Sequence, residues 1–182
     1  MENRKQYDNK IILPRNEEHK FSKGKSGLVF CKVCEAVYYK KSWHRNLRDY
    51  KNFPPKADQP MAEKEIPLMK FSLCPACEMI KNKQFEGEII IKNAPAKILN
   101  DLKHLIESFC KKAYERDLMH RLIAVKEIKG DLIITTTENQ LAVKLAKKIK
   151  ETFKKVNMKI SYSPSPSDVA YVKIEFSPPA GG

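Results

Sequence analysis

No apolar run in the 182-residue chain approaches the ~20 residues that cross a bilayer as a helix. Met1 to Lys10 is polar and lacks an apolar h-region, which predicts no signal peptide and no membrane association. A Gly-rich phosphate loop, a G-x-S-x-G elbow and a His-rich metal constellation are all missing. No paired carboxylates stand in a setting that marks catalysis, so a non-enzymatic protein is expected. Acidic residues are in the minority, with 22 Asp and Glu against 35 Lys and Arg, for a net charge of +13. A chain this basic usually meets an anionic polymer, most often nucleic acid. The bland alternative is solubility alone.

Five cysteines without a secretory signal point to a reducing, cytoplasmic setting. There, paired thiols hold metal more often than they form disulfides. Four of them make two C-x-x-C knuckles, Cys31-Lys-Val-Cys34 and Cys74-Pro-Ala-Cys77, with 39 residues between. Two residues between thiolates let one backbone turn present both sulfurs about 3.7 Å apart, as Zn–S bonds of ~2.3 Å require. Amides in each turn can donate to the sulfurs and spread their charge. One structural zinc ion held by Cys31, Cys34, Cys74 and Cys77 is the expected cofactor. Four thiolates close the coordination shell, which leaves no open position for catalysis.

The competing chemistry is redox, since Cys74-Pro75-Ala76-Cys77 follows an apolar stretch and precedes a possible helix, as an active dithiol would. Against it, a loop and another cysteine pair come before the motif where a β-α-β unit would be needed. His44 could replace a ligand but reads better as a surface residue. Cys110 reads as a buried small apolar side chain.

The chain divides into a flexible basic arm (1–25), a zinc ribbon (26–85) with a Pro-rich inserted loop (46–67), an α+β domain (86–177) and a tail (178–182). In the arm, Ile11 to Leu13 could add a short edge. In the ribbon, Gly27 to Phe30 and Ala36 to Tyr39 read as strands, and Glu78 to Gln84 as a helical turn. Further on, Glu88 to Lys92, Leu122 to Val125, Leu132 to Thr136, Lys159 to Tyr162 and Tyr171 to Phe176 read as strands. Asn93 is the expected cap of a helix with Pro95 in its first turn, running to about Asp117 on an Ile98, Leu102, Leu105, Ile106, Phe109, Ala113 stripe. Thr137 to Gln140 has the capping-box form and opens a second helix on Leu141, Leu145, Ile149 and Phe153. Thr135 to Thr137 could alternatively contact a phosphate at that helix N-terminus. The order β-α-β-β-α-β-β predicts a ferredoxin-like split β-α-β fold with one extra strand, packed on the four-cysteine ribbon.

Positive charge collects in two places. The second long helix carries Lys144, Lys147, Lys148, Lys150, Lys154 and Lys155 against Glu151. At about 100° per residue, Lys147 and Lys154 lie opposite the apolar stripe, flanked by Lys144 and Lys150. The other cluster, Lys40, Lys41, Arg45 and Arg48, surrounds Trp43 after the first knuckle. Cations around an aromatic suit phosphate contact with base or sugar stacking. Equally, Trp43 could anchor the ribbon to the second domain. No aromatic pattern of the RRM type marks Ile89 to Ile91 or Ile133 to Thr135, so the sheet is not expected to read bases in that manner.

Taken together, Cys31-x-x-Cys34 with Ala36-Val37-Tyr38, Trp43, Cys74-Pro75-x-Cys77 and Phe85-x-Gly87-Glu88-Ile89-Ile90 resembles a known zinc-binding region. It is the N-terminal region of the nonsense-mediated-decay-type adaptor family that exports large ribosomal subunits, and of short bacterial and archaeal proteins sharing it. Gly130-Asp131-x-Ile133 to Thr137 and Leu141-Ala142-x-x-x-Ala146 are similar too, so the likeness spans roughly residues 28–176. The resemblance implies RNA or ribosome binding. The export role is not carried over, because the chain shows no C-terminal export signal. A protein-binding regulatory zinc module is the second expectation, and a dithiol oxidoreductase the third.

Overall fold

The computed structural model describes residues 28–39, 41–45, 69–154 and 156–177. The expected arm, with its Ile11 to Leu13 edge, the Pro-rich loop, the tail and the side chains of Lys40, Arg48 and Lys155 lie outside them. The described chain is mixed α+β, with two mixed sheets and three α-helices.

The smaller sheet contains β1 (Leu28–Cys31), β2 (Val37–Tyr39), β3 (Ser42–His44) and β4 (Met69–Ser72), in the order β3-β2-β1-β4. Strands β1 and β2 form a hairpin around the first knuckle, while β4 runs parallel to β1 with Cys31 opposite Ser72. That parallel register brings the two knuckles together, since both pairs sit at the same end of adjacent strands. Strand β3 is an addition to the expected order: Ser42-Trp43-His44 pairs against Val37 to Tyr39. After β4, helix α1 (Pro75–Asn82) starts directly on Cys74, its N-cap, and so includes the second knuckle. It replaces the shorter turn expected from Glu78, because Pro75 at the first helical position suits the start of a helix.

The larger sheet contains β5 (Gly87–Lys92), β6 (Leu122–Ile128), β7 (Asp131–Thr136), β8 (Val156–Tyr162) and β9 (Ala170–Phe176), in the order β6-β7-β5-β9-β8. Strand β9 lies beside β5 and parallel to it, and β8 is displaced to the edge. Helices α2 (Leu99–Arg116) and α3 (Asn139–Phe153) contribute to a core with Ile89, Ile91, Ile134, Val172 and Ile174 from alternate strand positions. Leu102, Ile106, Leu141, Leu145 and Ile149 come from the helices, as the heptad-like spacing predicts. Cys110 joins this core at 3% exposure, as expected of a small apolar residue.

Two expected caps are corrected. Asn93 does not cap α2: it adopts a left-handed φ of 55°, and a short 3-10 turn (Ala96–Ile98) precedes the helix. Asn tolerates that conformation, which turns the chain off β5. Thr137 does not cap α3 either, since the N-cap is Glu138 with no side-chain capping bond. The Thr137 hydroxyl instead donates to the Met119 carbonyl and accepts the Arg121 N–H at 2.9 Å. Buried among other elements, it finds partners across the fold before any in its own helix.

Candidate metal centre

Each knuckle arises from local backbone chemistry. Cys31 N–H donates to Ala36 C=O at 2.7 Å and Glu35 N–H to Cys31 C=O at 3.2 Å, closing the first turn. Glu35 takes φ 60°, the left-handed position where glycine is favoured. Lys32 N–H donates to Ser72 C=O at 2.9 Å, tying that turn to β4. In the second knuckle Glu78 N–H donates to Cys74 C=O at 2.9 Å as the first bond of α1.

These turns gather all four predicted ligands. The Sγ atoms of Cys31, Cys34, Cys74 and Cys77 lie within 4.8 Å of one another, with Cys34 and Cys74 sulfurs 3.6 Å apart. Cys74 N–H donates to Cys31 Sγ at 3.3 Å, the amide-to-sulfur bond that spreads thiolate charge. Cys74 is wholly buried, and Cys31 and Cys77 nearly so.

Electrostatics show why such a group calls for a cation. Burial alone would raise Cys31, but the amides of Cys34, Cys74 and Val33 outweigh it and bring the thiol down to about 6. Burial, with a smaller contribution from Cys34, pushes Cys74 up to about 11. Cys77 is pushed up further, first by burial and then by Cys74 and Cys34. Several thiolates cannot crowd together without a positive charge among them. A borderline-soft divalent ion suits an all-sulfur donor set at this spacing. No family model, curated protein or solved structure matches the chain.

Around the thiols, Ala36, Ala76 and Leu118 are buried, with Leu73, Trp43, Tyr114 and Met119 packed against them. Tyr114 lies in the last turn of α2, and Leu118 and Met119 follow the helix, so the cysteine cluster is covered by the larger sheet's own helix and turn. Trp43 contributes to this junction and packs on Tyr38 with ring centroids 5.4 Å apart and the planes tilted by 56°. The placement supports the anchoring alternative for Trp43. Arg45 is exposed, donates to Tyr114 C=O at 2.8 Å, and lies 5.0 Å over its ring. Lys41 is exposed, in a left-handed turn between β2 and β3. A cleft of about 450 Å³ opens here, lined by Trp43, Arg45, Tyr114 and Arg116 among others.

Lys144, Lys147, Lys150 and Lys154 are all exposed on or just after α3. The two basic clusters therefore belong to different elements, one at the metal-site junction and one on α3. Sequence reasoning missed Arg121. Its guanidinium lies 4.3 Å over the Tyr114 ring, and its Nε–H donates to Leu118 C=O at 2.9 Å. The only signal available was a lone arginine at the threshold of the apolar run Leu122 to Val125.

Proposed function

We propose that this protein is a non-enzymatic, zinc-stabilised RNA-binding protein acting on the ribosome or another structured RNA. In this reading the smaller unit is a zinc ribbon, and the larger is a ferredoxin-like split β-α-β unit with its extra strand inserted beside β5. Zinc would be held by Cys31, Cys34, Cys74 and Cys77 and would supply structural cross-linking, since four thiolates leave it no open position. Complete burial of Cys74, the leading sulfur of the helix-borne knuckle, argues against an exchange-active dithiol, which needs an accessible low-pKa thiolate.

The observation that carries RNA binding is the outward side of α3. Lys144, Lys147 and Lys150 recur every third residue, and Lys154 directly follows the end of the helix. All four are exposed, and among the described residues the only ion pair on this helix is the neighbouring one of Lys148 with Glu151, at 3.7 Å. A ridge of cations along one helix suits a phosphate backbone. The test is RNA affinity across a salt series. Log Kd should change with log salt by ~0.7–0.9 per phosphate neutralised. Replacing Lys144, Lys147 and Lys150 with Glu should reduce that slope by about 2–3. An unchanged slope in a folded triple variant retires α3 as the contact face.

One observation favours a protein partner instead. Phe71 and Val33 are 64% and 69% exposed, and Phe71 sits against Phe30 with centroids 5.9 Å apart, on edge strand β4 and its neighbour. Capture of a defined protein that persists at roughly 0.5 M salt, where phosphate contacts are lost, would favour this second reading.

A further inference from the structure

The Arg121 guanidinium is held from two sides and left open on a third. Its flat face lies on Tyr114, and Nε–H is committed to Leu118 C=O. Its backbone N–H is committed to Thr137. Yet Nη2 is buried and has no hydrogen-bond partner among the described residues. A buried, unpaired N–H on a cationic group costs more than a neutral one, so its placement needs an acceptor. Tyr114 and Leu118, which position the group, both pack on the cysteine cluster. Burial works against the charge of Arg121, but Cys34 first, then Tyr114 and Cys77, more than restore it.

We propose that Arg121 is a positioning residue of the metal centre, with its Nη2 group donating a charge-assisted hydrogen bond to the Cys34 thiolate once a dication is bound. Cys34 is the ligand that most needs such help, because it is the only one of the four that is not buried. Four thiolates around a dication carry a net charge of about −2, and a guanidinium beside them halves it. The same contact binds the two units together. Cys34 belongs to the small sheet's turn, whereas Arg121 enters β6 of the larger sheet, so metal loading and docking of the units become one event. This inference rests on the four-cysteine metal reading.

The test uses the full chain with Co²⁺ or ¹¹³Cd²⁺ as probe metal. Wild-type protein that fails to bind one equivalent removes the metal reading itself. If it binds one, Arg121→Gln and Arg121→Met should weaken Co²⁺ affinity by about 10–100-fold, the usual effect of losing an outer-shell partner. Loss of the N–H···S bond leaves more electron density on sulfur, so the sulfur-to-cobalt charge-transfer band should move to lower energy. Arg121→Lys, which keeps a cationic donor, should recover part of both. Weakened affinity with an unmoved band, or a lysine variant no better than glutamine, reduces Arg121 to a packing role and overturns the proposal. Should the variants not fold, the ¹¹³Cd wild-type protein decides. Scalar coupling between the metal and the Arg121 guanidinium protons is expected through the Cys34 sulfur, and a resolved guanidinium signal without it refutes the bond.

Discussion

If the four cysteines hold a metal as proposed, removing it should dissolve one part of this protein and spare the other. The small sheet and α1 have few large apolar groups of their own: Leu28, Val29 and Val37 are buried there, with Leu118 covering the cysteines from the other unit. At about 1.5–3 kcal/mol each, these four side chains supply roughly 6–12 kcal/mol. Structural zinc contributes ~10–16 kcal/mol to small folds, as much again or more. The larger sheet needs no such help, since it buries sixteen residues in a continuous core of its own. Chelation of the purified chain, followed by amide-resolved NMR, should therefore collapse the dispersed signals of Leu28–His44 and Met69–Asn82. Signals from Gly87–Lys92, α2, α3 and β7 to β9 should persist, with shifts near Tyr114, Leu118 and Arg121. The reasoning fails if a chain shown by elemental analysis to be metal-free keeps its knuckle amides dispersed.

Other perturbations probe the larger unit. A Cβ on Gly87 would sit 2.5 Å from both the Ala142 Cβ and the Thr136 Oγ1, so Gly87→Ala should cost about 1–3 kcal/mol in denaturant unfolding. Thr137→Val keeps the side-chain shape but strips partners from the Arg121 amide and Met119 carbonyl, and should also cost about 1–3 kcal/mol, with Thr137→Ser milder. Burial pushes the Cys110 thiol from its ordinary 9.0 up to about 12. Between those values the unfolded chain has released a proton that the folded chain retains, so stability should fall as pH rises through that window. Cys110→Ala should flatten that part of the pH–stability curve relative to wild type; equal slopes would refute it.

Much of this protein was legible from residue order. The β-branched run Ile89 to Ile91 and the alternation along Tyr171 to Phe176 place strands, because such side chains suit a pleated sheet with a covered face. Spacing of four placed α3 and its buried stripe for the same reason at a helical period. Two C-x-x-C pairs named the four sulfurs that gather, because thiolate spacing is a local property of each turn. Side-chain partners that come from elsewhere in the chain were not legible. Thr137 and Gln140 have the residue types of a capping box, yet the nearest donors and acceptors to Thr137 belong to the turn before β6. Ser42 to His44 is too short for a periodic signal and becomes a strand only because β2 offers an edge. The parallel pairing of β1 with β4, the insertion of β9 beside β5, and the seating of Arg121 over Tyr114 depend on residues far apart in the chain. Local pattern determines which face of each element turns inward; only the packed structure decides which elements meet there.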